Sequence, residues 1–303
     1  MAEILVISGK GGTGKTSLTA AFAHLAQNSL ICDLDVDAPD LHLLLKPQHR
    51  KRVDFFSGHE AVINAEQCTG CGDCIERCRF NAVSAVDGEL PRVNGLKCEG
   101  CKTCVTFCPA EAIDFVEKHC GQWYLSDTRF GTMVHAQLFP GEENSGRLVS
   151  LMRKEAKDLA RKQGQYLILS DGPPGIGCPV ISSLAGVDQA VVVTEPTPSG
   201  QHDLERILGL CDHFKVPAAV VINKFDLSTA QTSRITTLCA SQRTPVLGHV
   251  PYADEFTHAM VAGKVITDYQ DGSLAQTVAD IWQAILAMTV ESVPASAAKA
   301  AIE

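Results

Sequence analysis

Short runs of apolar, β-branched residues recur along the chain with the lengths of buried strands. They lie at 4–7, 30–32, 167–169, 190–194, 218–222 and 246–250. Most are separated by stretches with a helical period of apolar residues, which predict helices over 15–27, 146–163, 202–214, 229–241 and 273–289. Strands that alternate with helices build a parallel sheet whose faces the helices cover. We therefore predict an α/β fold with a doubly wound, mostly parallel sheet and with ligands at the carboxyl ends of its strands.

The alternation stops between about 60 and 118, where one pattern occurs twice. The positions that correspond are Asn64, Cys68, Cys78 and Ala82 in the first copy and Asn94, Cys98, Cys108 and Ala112 in the second. A short segment that repeats itself predicts a pseudo-symmetric miniature domain. We expect a small α+β domain at 59–118, inserted into an α/β domain made of 1–58 and 119–290, and a flexible tail at 291–303.

Composition narrows the class of protein. The 303 residues are 45% hydrophobic and 20% charged, as in ordinary globular proteins, and the formal net charge of −9 argues against general binding to nucleic acid or to an anionic membrane surface. The apolar run at 4–7 is too short for a signal peptide or a membrane span, so we predict a cytoplasmic protein without stable membrane insertion. In the cytosol, thirteen cysteines indicate metal or redox chemistry rather than disulfides.

A glycine-rich loop follows the first predicted strand and opens the first predicted helix. Residues 9–16 read Gly-Lys-Gly-Gly-Thr-Gly-Lys-Thr, which fits the phosphate-binding pattern GxxxxGK[ST] in the context that this pattern requires. Backbone N–H groups would surround the phosphates, Lys15 would supply a cation and the Thr16 hydroxyl would ligate Mg²⁺. The predicted nucleotide contacts of this loop are Gly11, Gly12, Thr13, Gly14, Lys15, Thr16 and Ser17.

The same loop carries a second lysine. The sequence KGGTGKT resembles the deviant Walker A motif of the MinD/ParA/Mrp and nitrogenase-reductase superfamily, in which the first lysine reaches the nucleotide of the opposite subunit. The resemblance therefore implies an ATP-sandwich homodimer in which Lys10 stabilises transition-state charge in trans. A solvated loop lysine is the alternative for Lys10.

Two further segments resemble the switch regions of this superfamily. Residues 33–40, Asp-Leu-Asp-Val-Asp-Ala-Pro-Asp, resemble switch I, and by position Asp35 would orient or activate the attacking water. Asp37 and Asp40 are weaker candidates, with helix capping as their alternative. Residues 167–175 resemble a Walker B strand that runs into switch II, so that Asp171 would hold Mg²⁺ through water and Gly175 would move when phosphate leaves. The catalytic candidates are Lys10, Lys15, Asp35 and Asp171.

Residues 223–226, Asn-Lys-Phe-Asp, end another apolar strand and resemble a base-recognition segment. In MinD-like relatives the asparagine alone commonly contacts adenine, so the resemblance assigns this contact to Asn223. Pro251 follows the strand at 246–250, where relatives wrap the base with backbone groups, and a simple strand-to-helix turn is the alternative. The resemblance thus implies ATP rather than GTP as the nucleotide.

Eight cysteines form two copies of the bacterial ferredoxin pattern. They are Cys68, Cys71, Cys74 and Cys78 in the first copy and Cys98, Cys101, Cys104 and Cys108 in the second. In this pattern the fourth cysteine of each copy ligates the cluster of the other copy, which predicts two [4Fe–4S] clusters with crossed ligand sets. Structural zinc is the alternative, but four ligands per zinc would leave the regular third and fourth cysteines unexplained. Arg79 follows Cys78 where ferredoxins usually have proline, so the two potentials need not be equal.

The other cysteines are weaker candidates. Cys178 lies seven residues after Asp171, the distance at which the nitrogenase iron protein has a cluster-ligating cysteine. Two symmetry-related copies could approach one another in a dimer, with Cys120 as a weak further ligand, and a buried cysteine of the switch is the alternative. The cysteines in apolar patterns, which we predict to be core residues, are Cys32, Cys211 and Cys239.

By motif order over nearly the whole chain, the sequence resembles MinD-superfamily ATPases with an inserted ferredoxin domain. This implies ATP hydrolysis in a nucleotide-dependent homodimer that passes electrons through its clusters to a protein partner. An iron–sulfur carrier of the Mrp type is one alternative, although the CxxC that Mrp proteins have near the C-terminus is absent. A spatial organiser like MinD or ParA is another, although the apolar face of 273–289 lacks the basic residues of a membrane-surface helix and fits core packing better.

Overall fold

The structure, a computed structural model, describes residues 1–26, 28–142 and 145–292, which form two compact units. The first, here called the sheet unit, contains Met1–Val53, Trp123–Gln137 and the chain from Ser145 onwards. The second, the cysteine unit, contains Asp54–Gln122 and the short segment that starts at Leu138. The last helix is described as far as Ser292, so nearly all of the predicted tail at 291–303 lies outside the described residues.

The secondary structure alternates through the sheet unit as predicted. The strands are β1 (Ala2–Ser8), β2 (Ser29–Asp33), β3 (Gln48–Ile63), β4 (Val83–Ser84), β5 (Arg92–Val93), β6 (Ile113–Thr128), β7 (Gly131–Leu138), β8 (Leu167–Pro174), β9 (Gln189–Thr194), β10 (Ala218–Asn223) and β11 (Val246–Val250). The helices are α1 (Lys15–Leu25), α2 (Leu41–Leu45), α3 (Asp73–Arg77), α4 (Thr103–Thr106), α5 (Ser145–Gln163), α6 (Cys178–Leu184), α7 (Pro198–His213), α8 (Thr229–Ser241), α9 (Glu255–Val261), α10 (Ile266–Tyr269) and α11 (Ser273–Ser292). Every strand and helix predicted for the α/β part is present, with small shifts at its ends.

One sheet carries the fold, with the strand order β11-β10-β9-β1-β8-β2-β7-β6-β3. β1 pairs in parallel with both of its neighbours, and the pairs β2–β8, β2–β7, β9–β10 and β10–β11 are parallel as well. Parallel neighbours need crossover connections, which the helices between the strands supply. The predicted doubly wound, mostly parallel α/β fold is therefore confirmed for the sheet unit.

Three strands, β3, β6 and β7, were not predicted. β3 lies at the edge of the sheet and starts with the polar and charged segment 48–52, whose residues are exposed. An edge strand faces solvent along one side and can carry charged residues, so no regular apolar pattern marks it. Both β3 and β6 contain residues of the two units.

The core of the sheet unit includes the apolar face of α11. Phe22 of α1 stacks on Trp282 of α11 with ring centroids 5.4 Å apart. Val278, Ile281, Trp282 and Ile285 are each at most 2% exposed, and burial of such side chains is the main favourable term in folding. This face is therefore core, as predicted. Among the described residues, no helix offers a stretch long and apolar enough to span a bilayer.

The cysteine unit repeats its backbone contacts along with its sequence. The N–H of Asn64 donates to the C=O of Ala112 at 2.8 Å, and the N–H of Asn94 donates to the C=O of Ala82 at 2.7 Å. Each copy thus begins by pairing with the end of the other copy. The short strands β4 and β5 form an antiparallel pair. The two copies therefore make one small α+β body rather than two tandem ones.

A buried hydroxyl joins two histidines in the sheet unit. Ser126 Oγ lies 3.0 Å from Nδ1 of His49 and 2.8 Å from Nε2 of His135. Ser126 is fully buried, and His135 is 6% exposed. Burial first, and then the positive charges that His49 and His42 carry when protonated, lower the pKa of His135 to about 4. His135 is therefore neutral in the folded protein near neutral pH.

We predict that His135 makes the protein sensitive to mild acid. Between about pH 6.5 and pH 4 the unfolded chain binds a proton at this histidine and the folded chain does not, so the free energy of unfolding falls by about 3 kcal/mol as the pH is lowered. His135→Gln should flatten this part of the profile. Urea denaturation over a pH series measures it, and His213→Gln, at an exposed position, should keep the wild-type slope. An unchanged slope in His135→Gln would contradict the assignment.

Candidate functional site

The glycine-rich loop joins β1 to α1 and bends at two glycines. Gly12 has φ +79° and Gly14 has φ +87°, a region that residues with a Cβ rarely adopt. A Cβ on Gly14 would also collide with the side-chain amide of Asn223. α1 begins at the next residue, Lys15. The loop therefore leads directly into a helix N-terminus, where backbone N–H groups and the helix dipole attract an anion.

Asp171 at the end of β8 holds the first turns of α1. Its Oδ2 forms an ion pair with Lys15 Nζ at 2.8 Å and accepts a hydrogen bond from Thr16 Oγ1 at 2.9 Å. Its Oδ1 accepts a hydrogen bond from Thr19 Oγ1 at 2.8 Å. The side chain of Lys15 is 6% exposed and that of Asp171 is 1% exposed. The structure thus brings three predicted site residues, Lys15, Thr16 and Asp171, into direct contact.

A second carboxylate, Asp33, lies beside Asp171 because β2 and β8 pair in register at these residues. Asp33 is 1% exposed, and its Oδ1 accepts a hydrogen bond from the N–H of Asp35 at 3.1 Å. Its Oδ2 has no hydrogen-bond partner within the described part of the chain. Burial, and then the charge of Asp171, raise the pKa of Asp33 well above its ordinary value. A buried carboxylate oxygen in this position fits a cation, and such oxygen ligands suit Mg²⁺.

The other carboxylates of segment 33–40 are closer to solvent. Burial raises the pKa of Asp35 to about 6, while the charge of Lys15 acts in the opposite direction. Asp35 Oδ1 accepts a long hydrogen bond from the N–H of Ala38 at 3.4 Å. Asp37 and Asp40 are exposed, and the Asp40 side chain does not cap α2, so the capping alternative does not hold for it. Asp35 is therefore the carboxylate of this segment best placed to act at the edge of the site.

Asn223 and Pro251 occupy the segments predicted to surround the base. Asn223 Nδ2 donates to the C=O of Thr13 at 2.7 Å, so in this structure the amide braces the glycine-rich loop. The N–H of Tyr252, next to Pro251, donates to Asp226 Oδ1 at 2.7 Å and links the two segments. The adenine contact of Asn223 and the base contact of Pro251 stay predictions.

The remaining predicted contacts lie around the same loop. Gly175 has φ +90°, and its N–H donates to the C=O of Ser8 at 2.9 Å, which ties the segment after β8 to the end of β1. A Cβ on Gly11 would meet nothing within 4 Å, so the loop is open at this point. Ser17 Oγ lies 3.9 Å from the sulfur of Met260.

Lys10 is engaged within its own chain. Its Nζ lies 2.6 Å from Glu195 Oε1, 3.1 Å from Ser199 Oγ and 3.3 Å from Thr197 Oγ1. Its side chain is 32% exposed. In this structure Lys10 is therefore paired within its own chain, and its role in trans stays a prediction.

Two cavities in the cysteine unit are each lined by four cysteines. The cysteines that line the first are Cys68, Cys71, Cys74 and Cys108. The cysteines that line the second are Cys78, Cys98, Cys101 and Cys104. Each cavity takes three cysteines from one copy of the repeat and the fourth from the other. These are the crossed sets of the ferredoxin pattern.

Backbone N–H groups donate to two of these sulfurs. The N–H of Ala82 donates to Cys78 Sγ at 3.3 Å, and the N–H of Ala112 donates to Cys108 Sγ at 3.4 Å, contacts that favour the thiolate form. Among the described residues, no three His, Cys, Asp or Glu side chains converge where one metal ion would sit. The two clusters and the alternative of zinc stay predictions.

The other cysteines divide into one exposed residue and several buried ones. Cys178, the first residue of α6, is exposed, so the alternative of a buried cysteine is wrong. Cys120 is buried in the cysteine unit and donates to the C=O of Ser57 at 3.2 Å. Burial raises the pKa of Cys211 to about 12 and that of Cys239 to about 11. These two and the buried Cys32 are core residues, as predicted.

The chain matches the CobQ/CobB/MinD/ParA nucleotide binding domain over residues 4–266. It belongs to this family. The matched range includes the glycine-rich loop, both buried carboxylates and Asn223. The family description names nucleotide binding, so iron–sulfur chemistry rests on the cysteines of this chain alone.

Its relatives within and around the family include MinD proteins. The uncharacterized protein MJ0578 of Methanocaldococcus jannaschii is 35% identical over 225 residues, which cover 73% of this chain and 78% of that protein. The septum site-determining protein MinD of Bacillus subtilis is 27% identical over 163 residues, which cover 51% of this chain and 60% of that protein. MinD of Pyrococcus horikoshii OT3, complexed with Mg-ADP, shares the fold with a TM-score of 0.58 at 15% identity, over 97% of this chain and 99% of that one.

Three polar side chains of this nucleotide-binding family member were not among the predicted site residues: Thr19, Asp33 and Glu195. Asp33 ends β2, and Glu195 directly follows β9. A carboxylate at the carboxyl end of a parallel strand is a signal that could have identified both. Thr19 lies one turn after Lys15 on α1, and nothing in the sequence marks its contact with Asp171.

We predict that Asp33→Asn stabilises the protein without nucleotide and weakens its response to Mg²⁺. The substitution removes a buried carboxyl group whose ionised form is unfavourable beside Asp171, so the free energy of unfolding should rise by about 1–2 kcal/mol. The gain in nucleotide affinity on adding Mg²⁺ should fall about tenfold, because a cation ligand is lost. Thermal unfolding and nucleotide titrations with and without Mg²⁺ measure the two effects. Asp271→Asn, at an exposed carboxylate, is the control and should change neither.

Proposed function

We propose that this chain binds Mg-ATP, pairs with a second copy around it and hydrolyses it to ADP and phosphate. The observation that carries the proposal is the contact of Lys15 and Thr16 with Asp171. Beside it lies Asp33, whose Oδ2 has no hydrogen-bond partner in the described part of the chain. A lysine, a hydroxyl and two carboxylates at this edge of a parallel sheet are what a Mg²⁺-nucleotide requires. Membership of the nucleotide-binding family supports the same reaction.

The ion pair between Lys15 and Asp171 couples the binding of nucleotide to the binding of Mg²⁺. The phosphates of the nucleotide would bind Lys15, and Mg²⁺ would bind Asp171 and the Thr16 hydroxyl. An anion that bound alone would leave the carboxylate of Asp171 buried without its cation, which is unfavourable. Nucleotide and Mg²⁺ are therefore expected to bind together.

Asp35 is the residue that would orient the attacking water. Its pKa of about 6 leaves the carboxylate mostly ionised at pH 7, yet close enough to neutrality to accept a proton. Lys10 would act on the nucleotide of the other protomer, where a positive charge stabilises the transferring phosphoryl group. To do so it must leave Glu195, its partner in this structure.

We predict that substitutions of the two lysines of the loop have different effects on nucleotide binding and hydrolysis. Lys15→Ala should abolish nucleotide binding, whereas Lys10→Ala should bind ATP as a monomer and lose hydrolysis by about 100-fold or more. Phosphate release, nucleotide titration and sedimentation with an ATP analogue separate these effects. Lys154→Ala, at an exposed position of α5, is the control. Wild-type hydrolysis in Lys10→Ala would contradict the role in trans.

A second proposal concerns the cysteine unit, which we infer holds two [4Fe–4S] clusters. The supporting observation is that each of the two cavities is lined by one crossed set of four cysteines. Such a cluster, when bound, accepts and releases one electron at a time. The protein would contribute the thiolates, the N–H groups of Ala82 and Ala112 that donate to two of the sulfurs, and the enclosing apolar side chains.

Binding and hydrolysis of ATP would then control electron transfer by the clusters. The relatives support a nucleotide switch of the MinD/ParA type more directly than a redox role, so hydrolysis stands as the first proposal and electron transfer to a protein partner as its output. The regular ligand sets, with four cysteines at each cavity, favour electron transfer over release of a cluster. The exposed Cys178 is the feature that would favour an iron–sulfur carrier. A role in spatial organisation would use the same switch, although the apolar side chains of α11 at Val278, Ile281, Trp282 and Ile285 are buried in the core.

We predict about eight irons per chain in protein purified without oxygen. Cys74→Ser and Cys108→Ser should remove the same cluster, because both residues line the first cavity, and Cys104→Ser and Cys78→Ser should remove the other. Iron analysis and electron paramagnetic resonance (EPR) of the reduced protein measure this. Cys211→Ser, at a buried core cysteine, is the matched control and should keep both clusters.

The same EPR spectra test whether nucleotide controls electron transfer. If it does, Mg-ATP should change the EPR signals or the potentials of the reduced clusters. Signals and potentials that stay the same with Mg-ATP would contradict this control, and transfer of intact clusters to an apo-acceptor would favour the iron–sulfur carrier instead.

A further inference from the structure

Glu195 lies between Lys10, which belongs to the glycine-rich loop, and Lys224, which follows β10. It directly follows β9, which pairs with β1 on one side and with β10 on the other. β1 leads to Lys10, and β10 leads to Lys224. The side chain of Glu195 is 13% exposed. The order of the strands therefore places this carboxylate between two lysines.

Each oxygen of Glu195 binds one of them. Oε1 lies 2.6 Å from Lys10 Nζ, and Oε2 lies 3.2 Å from Lys224 Nζ. Lys224 Nζ also donates to the C=O of Gly12 at 2.8 Å. Burial alone would raise the pKa of Glu195, but its bonds to the two lysines lower it overall, so the carboxylate stays charged near neutral pH.

All the donors of Lys10 are occupied. An ammonium group has three N–H donors, and three acceptors surround this one: Glu195 Oε1, Thr197 Oγ1 and Ser199 Oγ. Thr197 also caps α7 by accepting a hydrogen bond from the N–H of Gly200 at 2.9 Å, which fixes the position of the first turn. Lys10 must therefore give up a complete set of acceptors before it can reach any group outside its own chain.

We propose that Glu195 is a positioning residue that retains Lys10 within its own protomer and so opposes pairing of two protomers until nucleotide is bound. This rests on the proposed ATP-dependent dimer. The phosphates of the second protomer's nucleotide are the anion that can replace the carboxylate. Glu195 thereby sets the protein concentration at which the dimer forms, and it touches neither the nucleotide nor Mg²⁺.

Glu195→Gln tests this in the full-length protein, purified without oxygen and mixed with Mg²⁺ and a non-hydrolysable ATP analogue. The amide keeps the shape and loses the charge, so the midpoint of dimerisation should fall about tenfold, because two such ion pairs must break for each dimer. Sedimentation velocity measures the midpoint. The affinity of the monomer for the nucleotide should stay within about twofold of the wild-type value.

Matched variants separate this role from a merely structural one. Glu205→Gln removes a nearby exposed charge of α7 that contacts Gln201, and it should leave the midpoint unchanged. Ser199→Ala removes one acceptor of Lys10 and should lower the midpoint by a smaller factor, even if Glu195→Gln folds poorly. Lys10→Ala should stay monomeric with the analogue, and adding Glu195→Gln to it should not restore dimerisation, because the group that Glu195 retains is gone.

The outcomes distinguish the two proposals. If the wild-type protein does not dimerise with the analogue, the proposed function fails and the role of Glu195 fails with it. If the wild-type protein dimerises and Glu195→Gln has an equal or higher midpoint, only the role of Glu195 is overturned. Dimerisation of the double variant, when Lys10→Ala alone is monomeric, would also overturn it, since the effect of Glu195→Gln would not pass through the lysine.

Discussion

The pairing of β2 with β8 is the constraint on which the site depends. It places Asp33 directly beside Asp171, and both are 1% exposed. Lys15 forms an ion pair with Asp171, and Oδ2 of Asp33 has no hydrogen-bond partner among the described residues. Two buried carboxylates side by side are unfavourable without a cation, and this is the physical reason for the proposed binding of Mg²⁺ together with nucleotide.

The cysteine unit also brings possible metal ligands together, and here they are cysteine sulfurs instead of carboxylate oxygens. Its buried hydrophobic cluster contains few residues, Ala61, Cys74, Val83 and Ile113, and several more cysteines pack against it. A body this small has too little apolar surface for much stability of its own and commonly uses metal centres or cross-links. The crossed backbone bonds between the two copies bring the fourth cysteine of each to the cavity of the other. Cluster binding and folding of this unit are therefore expected to be linked.

Sequence reasoning identified the strands and helices with clear apolar periods, and with them the sheet. It did not identify β3, because an edge strand with a charged start has no distinguishing pattern, and it did not identify β6 and β7 either. The predicted contact of Asn223 with the base stays a prediction, and the structure adds a hydrogen bond from Asn223 Nδ2 to the C=O of Thr13 that no local pattern marks. It also left Cys178 between a ligand and a buried residue, and the structure shows it exposed. Each of these depends on neighbours that are distant in the chain.

The sequence by itself determined the features that depend on close spacing. A phosphate-binding loop needs its glycines, lysine and threonine within one short loop, and a ferredoxin pattern needs its cysteines a few residues apart. Both patterns can therefore be recognised from the sequence without knowledge of the fold. Only the tertiary structure decided which groups meet across the sheet: Asp33 with Asp171, and Lys10 with Glu195. Strand order and register set these contacts, and they arise from packing of the whole sheet rather than from any local pattern.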